Sequence, residues 1–212
     1  MGPALGPVYY ALYNELVWLH VRWRQYMQLF GATPGRVDLL NQAAGLFFRV
    51  IQDSLFEDTL LHLSRMTDPA QTRKKANLTI QQLPLLIADQ LLAAEILALV
   101  NTAVTKSTFA RDWRNRRLAH TDFSLAVEEG ATPLLPRSRA AVGDALQSIE
   151  AVLNHLEMHF RNRTVFFEGL DHPGDAESVL YVVRAGIQAG EARLKRLKEG
   201  KPADGDFDSR PI

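Results

Sequence analysis

Apolar residues along this chain recur at alternating spacings of three and four, the pattern of helices that each bury one stripe. Tyr9, Tyr13, Leu16, His20, Trp23, Met27 and Phe30 form the first stripe, which Gly31 and Pro34 close. Helix resumes after Pro34 and is expected to run as one long element to about Met66, with Leu40, Ala43, Phe47, Val50 and Leu61 on its apolar face. Thr67 to Asn77 reads as a polar loop with a basic cluster, and Thr79 with Gln82 three residues on is a capping-box signature. Pro84 keeps that helix short, so a second one is expected from about Asp89 to Lys106. Ser107 or Thr108 is placed to cap the next helix, which carries Arg111 to His120.

The remainder follows the same pattern. Thr121 to Pro136 holds Gly130, Pro133 and Pro136 and reads as an ordered loop. Val142, Leu146, Ile149, Leu153, Leu156 and Phe160 mark a further helix, and Arg163 to Asp175 reads as a connector. Leu180, Val183, Ile187, Leu194 and Leu197 then line a last helix, whose basic end suits the helix dipole. No segment shows the period-two alternation of a strand. The chain is therefore expected to be all-α, an up-and-down bundle of four to five core helices. One domain is expected over residues 1–200, with its core at about 8–160, a C-terminal helix at about 176–198 and a flexible tail at 201–212.

Composition narrows the chemistry. Lys plus Arg and Asp plus Glu are both 24 of 212 residues, so any nucleic-acid contact must be a local patch and not a whole-molecule field. Cysteine is absent, which excludes disulfides, thiol catalysis and thiolate metal sites and fits a reducing compartment. MGPALGPVYYALYNELVW lacks a secretory pattern, and the apolar run Leu91 to Val100 is too short to span a bilayer. A cytoplasmic protein without membrane contact is expected.

The densest chemistry is RDWRNRRLAH at Arg111 to His120, with four arginines, a tryptophan and a histidine in ten residues. Arginine offers a planar fork of donors to phosphate oxygens, and histidine gains and loses a proton near neutrality. In a regular helix Arg114 sits roughly 120° around from His120 and about 9 Å along the axis. Their convergence needs a long side chain, a distorted helix or a second subunit. Glu57 and Asp58 lie among apolar neighbours: either one is solvated while the other pairs with a bundle arginine, or one of them holds Arg111 or Arg114. His155 and His159 are four apart but lack the order of a zinc helix, His20 sits within an apolar stripe, and neither Glu57 nor Asp58 with His62 makes a Glu-x-x-His. No metal site is expected from these.

Arg114, the polar Asn115 and His120 resemble the motif of the HEPN superfamily of helical-bundle nucleases, an arginine, then usually a polar residue, then a histidine after a total gap of four to six, here five. The likeness extends to EDTLLHLSRMTDP at Glu57 to Pro69, NLT at Asn77 to Thr79 and RDWRNRRLAHTD at Arg111 to Asp122. In this order and on helices, these resemble the abortive-infection U-type HEPN proteins. The likeness covers roughly residues 8–160 and leaves the last helix unmatched.

The resemblance implies an endoribonuclease that needs no metal or other cofactor. His120 would act as general acid or base on the ribose 2′-hydroxyl, Arg114 would stabilise charge on the phosphorane, and Asn115 would orient the phosphate or a partner histidine. It implies a two-fold dimer with the site at the interface, and a toxin or phage-defence role with a cognate antitoxin as partner. Arg111, Arg116, Arg117 and Lys106 are candidates for RNA phosphate contacts. Trp113 is a candidate for base stacking or for an anchor of the dimer core. Two alternative classes stand beside it: a noncatalytic HEPN scaffold that binds a partner protein or a nucleotide, and an enzyme or sensor that binds a metal through His155 and His159.

Overall fold

A computed structural model describes residues 1–118, 132–168 and 174–208. Six α-helices carry the described chain: α1 Gly2–Tyr26, α2 Pro34–Met66, α3 Gln90–Lys106, α4 Thr108–Trp113, α5 Arg139–Arg161 and α6 Ala176–Lys198. The fold is an all-α helical bundle. Its described β-structure is one hairpin, β1 Gln71–Thr72 and β2 Lys75–Ala76, where a plain polar loop was expected. No helix among the described residues is long and apolar enough to cross a membrane.

The chain divides into two compact units, 1–24 with 53–170 and 25–52 with 171–212. In the first, α1 buries Leu5, Tyr9, Leu12, Leu16, Leu19 and Trp23. The predicted stripe is confirmed at its Tyr9, Leu16 and Trp23 positions, and Leu12 and Leu19 lie at its centre. The C-terminal half of α2 adds Phe56, Leu60, Leu63 and Met66, and α3 packs along α5 through Leu92, Ile96 and Val100 on one side and Leu146, Ile149 and Leu153 on the other. At about 25 cal/mol per Å² of apolar surface, this continuous side-chain core is what holds the candidate site's elements together.

Helix α2 is not the single regular helix the pattern predicts. Ala44 has φ −163° and ψ 68°, so the helical hydrogen-bond ladder breaks there and the buried face shifts. Leu40 and Phe48 are buried, whereas Phe47 and Val50, expected inside, are more than half exposed. Met27–Gly31 forms a π-helical turn before Pro34 opens α2.

Helix ends are set by side chains, not all of them the expected ones. Asp89 accepts from the amides of Leu91 and Leu92 at 2.9 and 3.2 Å, and Ser138 accepts from Ala141 at 3.0 Å. Ser107 makes no side-chain cap, and Thr108 turns its hydroxyl back to Thr105 O at 2.8 Å. Thr79 caps the short 3-10 segment Ile80–Leu86 through the amide of Gln81. The reciprocal half of the expected capping box does not form, because the Gln82 amide donates instead to Ala70 O at 2.6 Å.

The hairpin turn is unusual. Its central residues, Arg73 and Lys74, have φ of 47° and 69°. Positive φ at both positions matches a type I′ turn, which favours Asn-Gly because a Cβ costs roughly 1–2 kcal/mol per residue there. The base is anchored by Asn77, whose side-chain amide donates to Pro69 O at 2.7 Å and to Thr72 Oγ1 at 2.8 Å.

In the second unit Tyr26, Leu29, Phe30, Leu40, Phe48 and Leu180 form a small core. Gln28 donates to Asp175 at 2.6 Å, and Arg36 pairs with Glu177 and donates to Gln28 O at 2.6 Å. Along α6, Val183, Ile187 and Leu197 are partly covered while Leu194 is exposed. Beyond α6 the chain folds back so that Asp206 is buried against Arg193 and Arg196.

Candidate active site

The arginine-rich stretch does not continue as a regular α-helix. After Trp113 the backbone widens into a π-helical turn over Arg114–Leu118, so the helix is distorted within the motif. Such turns recur at functional sites. His120 belongs to residues 119–131, which lie outside the described residues.

Arg114 is the most tightly fixed group of the stretch. Its Nη1 donates to Asp68 Oδ2 at 2.8 Å, its Nη2 to Asp68 Oδ1 at 3.0 Å and its Nε to Asn115 Oδ1 at 3.0 Å. Those bonds engage three of the five N–H donors of a guanidinium and leave two, one on each terminal nitrogen, without a partner among the described residues. The side chain is a quarter exposed. It is a preoriented cation whose two remaining donors are available to an anion.

Asp68 also takes Arg111, whose Nε lies 3.7 Å from Oδ1 and whose Nη2 donates to Thr67 O at 2.6 Å. Two cations on one carboxylate leave one net positive charge at a partly desolvated place. Of the two readings of Glu57 and Asp58, the structure bears out the pairing of one with a bundle arginine, since Asp58 lies 3.3 Å from Arg22 and 3.5 Å from His62. It corrects the other: among the described residues neither acid takes Arg111 or Arg114, which Asp68 holds instead. Both acids lie mid-helix on α2, whereas Asp68 stands just past its end, ahead of the β1–β2 hairpin.

Asp68 sits in a dense network. Thr79 donates to both Met66 O and Asp68 O, at 2.9 and 2.7 Å, and the Gln81 amide donates to Thr67 O at 2.9 Å. Thr67 itself is buried and donates to Leu63 O at 2.8 Å. Sequence reasoning passed over Asp68 and Thr67, although TDP and NLT both lie within the stretches that carry the family resemblance. The signal was their joint presence, which spacing alone does not convert into contact.

The other candidate RNA contacts are largely engaged within the chain. Trp113 is 9% exposed, its indole N–H donates to Leu135 O at 2.8 Å, and Arg137 lies 4.0 Å over its ring. It is an anchor of its own unit, and its ring face is covered. Arg116 pairs with Asp112 at 3.4 Å and donates to Thr132 O and Pro133 O. Asp112 accepts from the Leu135 amide at 2.9 Å. Residues 132–137 are thereby strapped against the stretch. Arg117 is exposed, with its guanidinium 5.7 Å from the Trp113 ring centre, and Lys106 is exposed at the end of α3.

The remaining histidines have partners of their own. His20 is buried, lies 2.9 Å from Glu150 and stacks on Phe167. His155 lies 2.9 Å from Glu95, and His159 meets Phe160 edge to face. His62 is buried between Arg22, Asp58 and Glu15, with Arg22 Nη1 2.9 Å from its Nε2. Burial lowers the His62 pKa, Asp58 opposes that, and Arg22 and Arg65 add to it, so the ring is neutral at neutral pH and accepts from Arg22. Two acids and two arginines around a neutral ring form a balanced tie between α1 and α2. Among the described residues no group of three or more potential ligands could hold a metal.

An all-α chain with an arginine fixed by a carboxylate, followed by Asn115 and, in sequence, by His120, has the framework of a HEPN protein. The family model for AbiU2, a HEPN family, matches residues 3–177, and the chain belongs to that family. No curated protein and no solved structure matches it.

Proposed function

We propose that this protein is a metal-independent endoribonuclease. The observation that carries the reading is the Arg114 guanidinium, held flat on Asp68 and steadied by Asn115 with two donors left over. An oriented cation of this kind stabilises charge only where it develops, on the phosphorane oxygens. His120 removes the proton from the ribose 2′-hydroxyl or delivers one to the departing 5′-oxygen. The 2′-oxygen bonds to phosphorus as the P–O5′ bond breaks, which leaves a 2′,3′-cyclic phosphate and a free 5′-hydroxyl. A homodimer supplies a second His120 for the complementary proton transfer. In a cell the activity fits a cytoplasmic toxin or phage-defence effector restrained by an antitoxin.

The second reading is a noncatalytic HEPN scaffold. It is favoured by the internal engagement of Trp113 and Arg116, which in this reading leaves the stretch a structural role only. The two separate in one assay, cleavage of a mixed single-stranded RNA panel in EDTA by wild type, His120→Ala and Arg114→Lys. Circular dichroism and sedimentation check that each variant folds and associates as wild type does. The wild type is expected to cut and to leave cyclic phosphate ends. Each folded variant is expected to lose about 10²–10³-fold in rate, Lys failing because it cannot reproduce the two-pronged contact. An inactive wild type, or equal cutting by His120→Ala, sinks the ribonuclease reading and favours the scaffold.

A further inference from the structure

We propose that the β1–β2 hairpin is a cationic finger that grips the phosphate backbone of the RNA strand beside Arg114. This rests on the reading of Arg114 as part of an RNA site. That site needs a source of affinity, and the arginine-rich stretch supplies little. Arg111 and Arg116 are engaged by Asp68, Thr67, Asp112 and the 132–133 backbone, and Trp113 is covered.

The hairpin differs on each count. Arg73, Lys74 and Lys75 are consecutive and exposed, and among the described residues no carboxylate pairs with them. Most arginines of the described chain have partners, so in a protein of zero net charge this is an uncompensated local field. The turn is also built against conformational preference, since Arg73 and Lys74 both take positive φ where Asn-Gly is favoured. A bulky residue held in such a conformation points to a role for its side chain beyond stability. Here two long cations occupy the tip.

The finger is rigidly joined to the site. Asn77 and Gln82 clamp its base at Pro69 and Ala70, and Thr79 bridges Met66 and Asp68. Asp68 in turn holds Arg114. Lys74 is six residues beyond Asp68, so the chain can separate them by at most about 20 Å, within reach of one bound strand. The hairpin residues Gln71 to Ala76 include no large apolar side chain, unlike a membrane-inserting tip. Consecutive, exposed cations without aromatic partners read charge and not sequence.

The test uses the double variant Arg73→Asn with Lys74→Gly, which installs the preferred turn and so keeps the fold. Binding is measured by fluorescence anisotropy to a 2′-O-methyl single-stranded RNA, which cannot be cleaved, across a salt series. The expected result is a Tm higher by about 2–4 °C. With it go an affinity roughly tenfold weaker and a salt slope shallower by about 1.4, from two lost phosphate contacts at 0.7 each. Arg114→Lys serves as the reference, losing cleavage while binding within a few-fold of wild type.

If the double variant binds RNA as wild type does, the finger is overturned even where the wild type cleaves. If the wild type cuts nothing but the double variant still loses salt-dependent binding, the finger stands and the ribonuclease reading falls. A wild type that shows no salt-dependent RNA binding overturns the finger. So does a loss confined to vesicles of anionic phospholipid.

Discussion

Two carboxylates in the first unit each hold a pair of arginines, and the pairs depend on one another in opposite directions. Glu157, near the end of α5, is fully buried, and its partners Arg161 and Arg163 reach in at 2.7 Å each from solvent, 49% and 58% exposed. Burial alone raises the Glu157 pKa, yet the hydrogen bond from Arg163 and the charges of Arg161 and Arg163 hold it below its ordinary value. Here the cations serve the acid. At Asp68 the acid is at the edge of the core and the arginines are only a quarter exposed, with Arg114 fixed at both ends of its fork and at its Nε. There the acid serves the cations. Composition is the same at both places, and depth decides which partner is being positioned.

Asp68→Asn breaks that comparison most directly. The amide keeps the shape but offers one acceptor where the carboxylate offered two, so the Arg114 fork loses half its seat and its charge balance. A misplacement of about 1 Å in a positioning group costs on the order of 10²-fold in rate. Turnover on the RNA panel is expected to fall by about that factor with little change in KM, while Tm drops by only a few degrees. Asp68→Glu, which restores charge at a longer reach, should recover part of the rate. Wild-type turnover in a folded Asp68→Asn protein would show that Arg114 does not depend on this acid.

How much of this could be read from the chain alone differs by element. The α1 stripe was legible because a helix interior repeats its spacing, and Tyr9, Leu16 and Trp23 are buried as expected. Periodicity does not report a break in its own phase, so Ala44 and the exposure of Phe47 and Val50 were invisible. The π-helical turn at Arg114 has no glycine or proline to mark it. It is accompanied by long-range bonds of Arg114 to Asp68 and of Arg116 to Thr132 and Pro133. The identity of the supporting acid was missed for the same reason. Forty-six residues separate Asp68 from Arg114, and nothing in local pattern ranks Asp68 above Glu57 or Asp58. Arg114 and Asn115 themselves were found because their order is a family signature rather than a packing signal.

Glu157→Gln is the complementary test, expected to move stability and leave cleavage alone. Its loss removes two charge-assisted hydrogen bonds and the acid beside the buried Tyr9, at about 1–3 kcal/mol, while the freed arginines turn to water. Tm should fall by roughly 5 °C with the rate unchanged. The folded-state pKa of Glu157 is lowered, so its contribution is fully present above the ordinary value of 4.5 and is lost as pH falls below it. The Tm gap between wild type and variant is therefore expected to be constant from pH 7 to 5.5 and to narrow below pH 4.5. A gap that persists unchanged at pH 4 would mean that shape, not charge, is what Glu157 contributes.

The second unit holds a third carboxylate with two arginines, and it marks the weak end of the comparison. Asp206 accepts from Arg196 at 2.9 and 2.6 Å and from the Ala203 amide at 2.9 Å, and Arg193 donates to its backbone carbonyl. Arg196 and the Ala203 amide hold its carboxyl well below the usual range, so the clamp is intact at any pH where the protein is commonly handled. Unlike Glu157, it closes only a short return of chain onto the last turns of α6, and few side chains depend on it. Asp206→Asn keeps an acceptor for one arginine nitrogen and leaves the Arg193 bond in place. Its global Tm is expected to stay within about 1 °C of wild type, as for a change at a chain end. The effect should appear locally, as faster trypsin cleavage after Lys201 and faster amide exchange at Ala203. A drop in Tm comparable to that of Glu157→Gln would instead make this return segment part of the cooperative core, and its place at the chain end would no longer set it apart from the other two clusters.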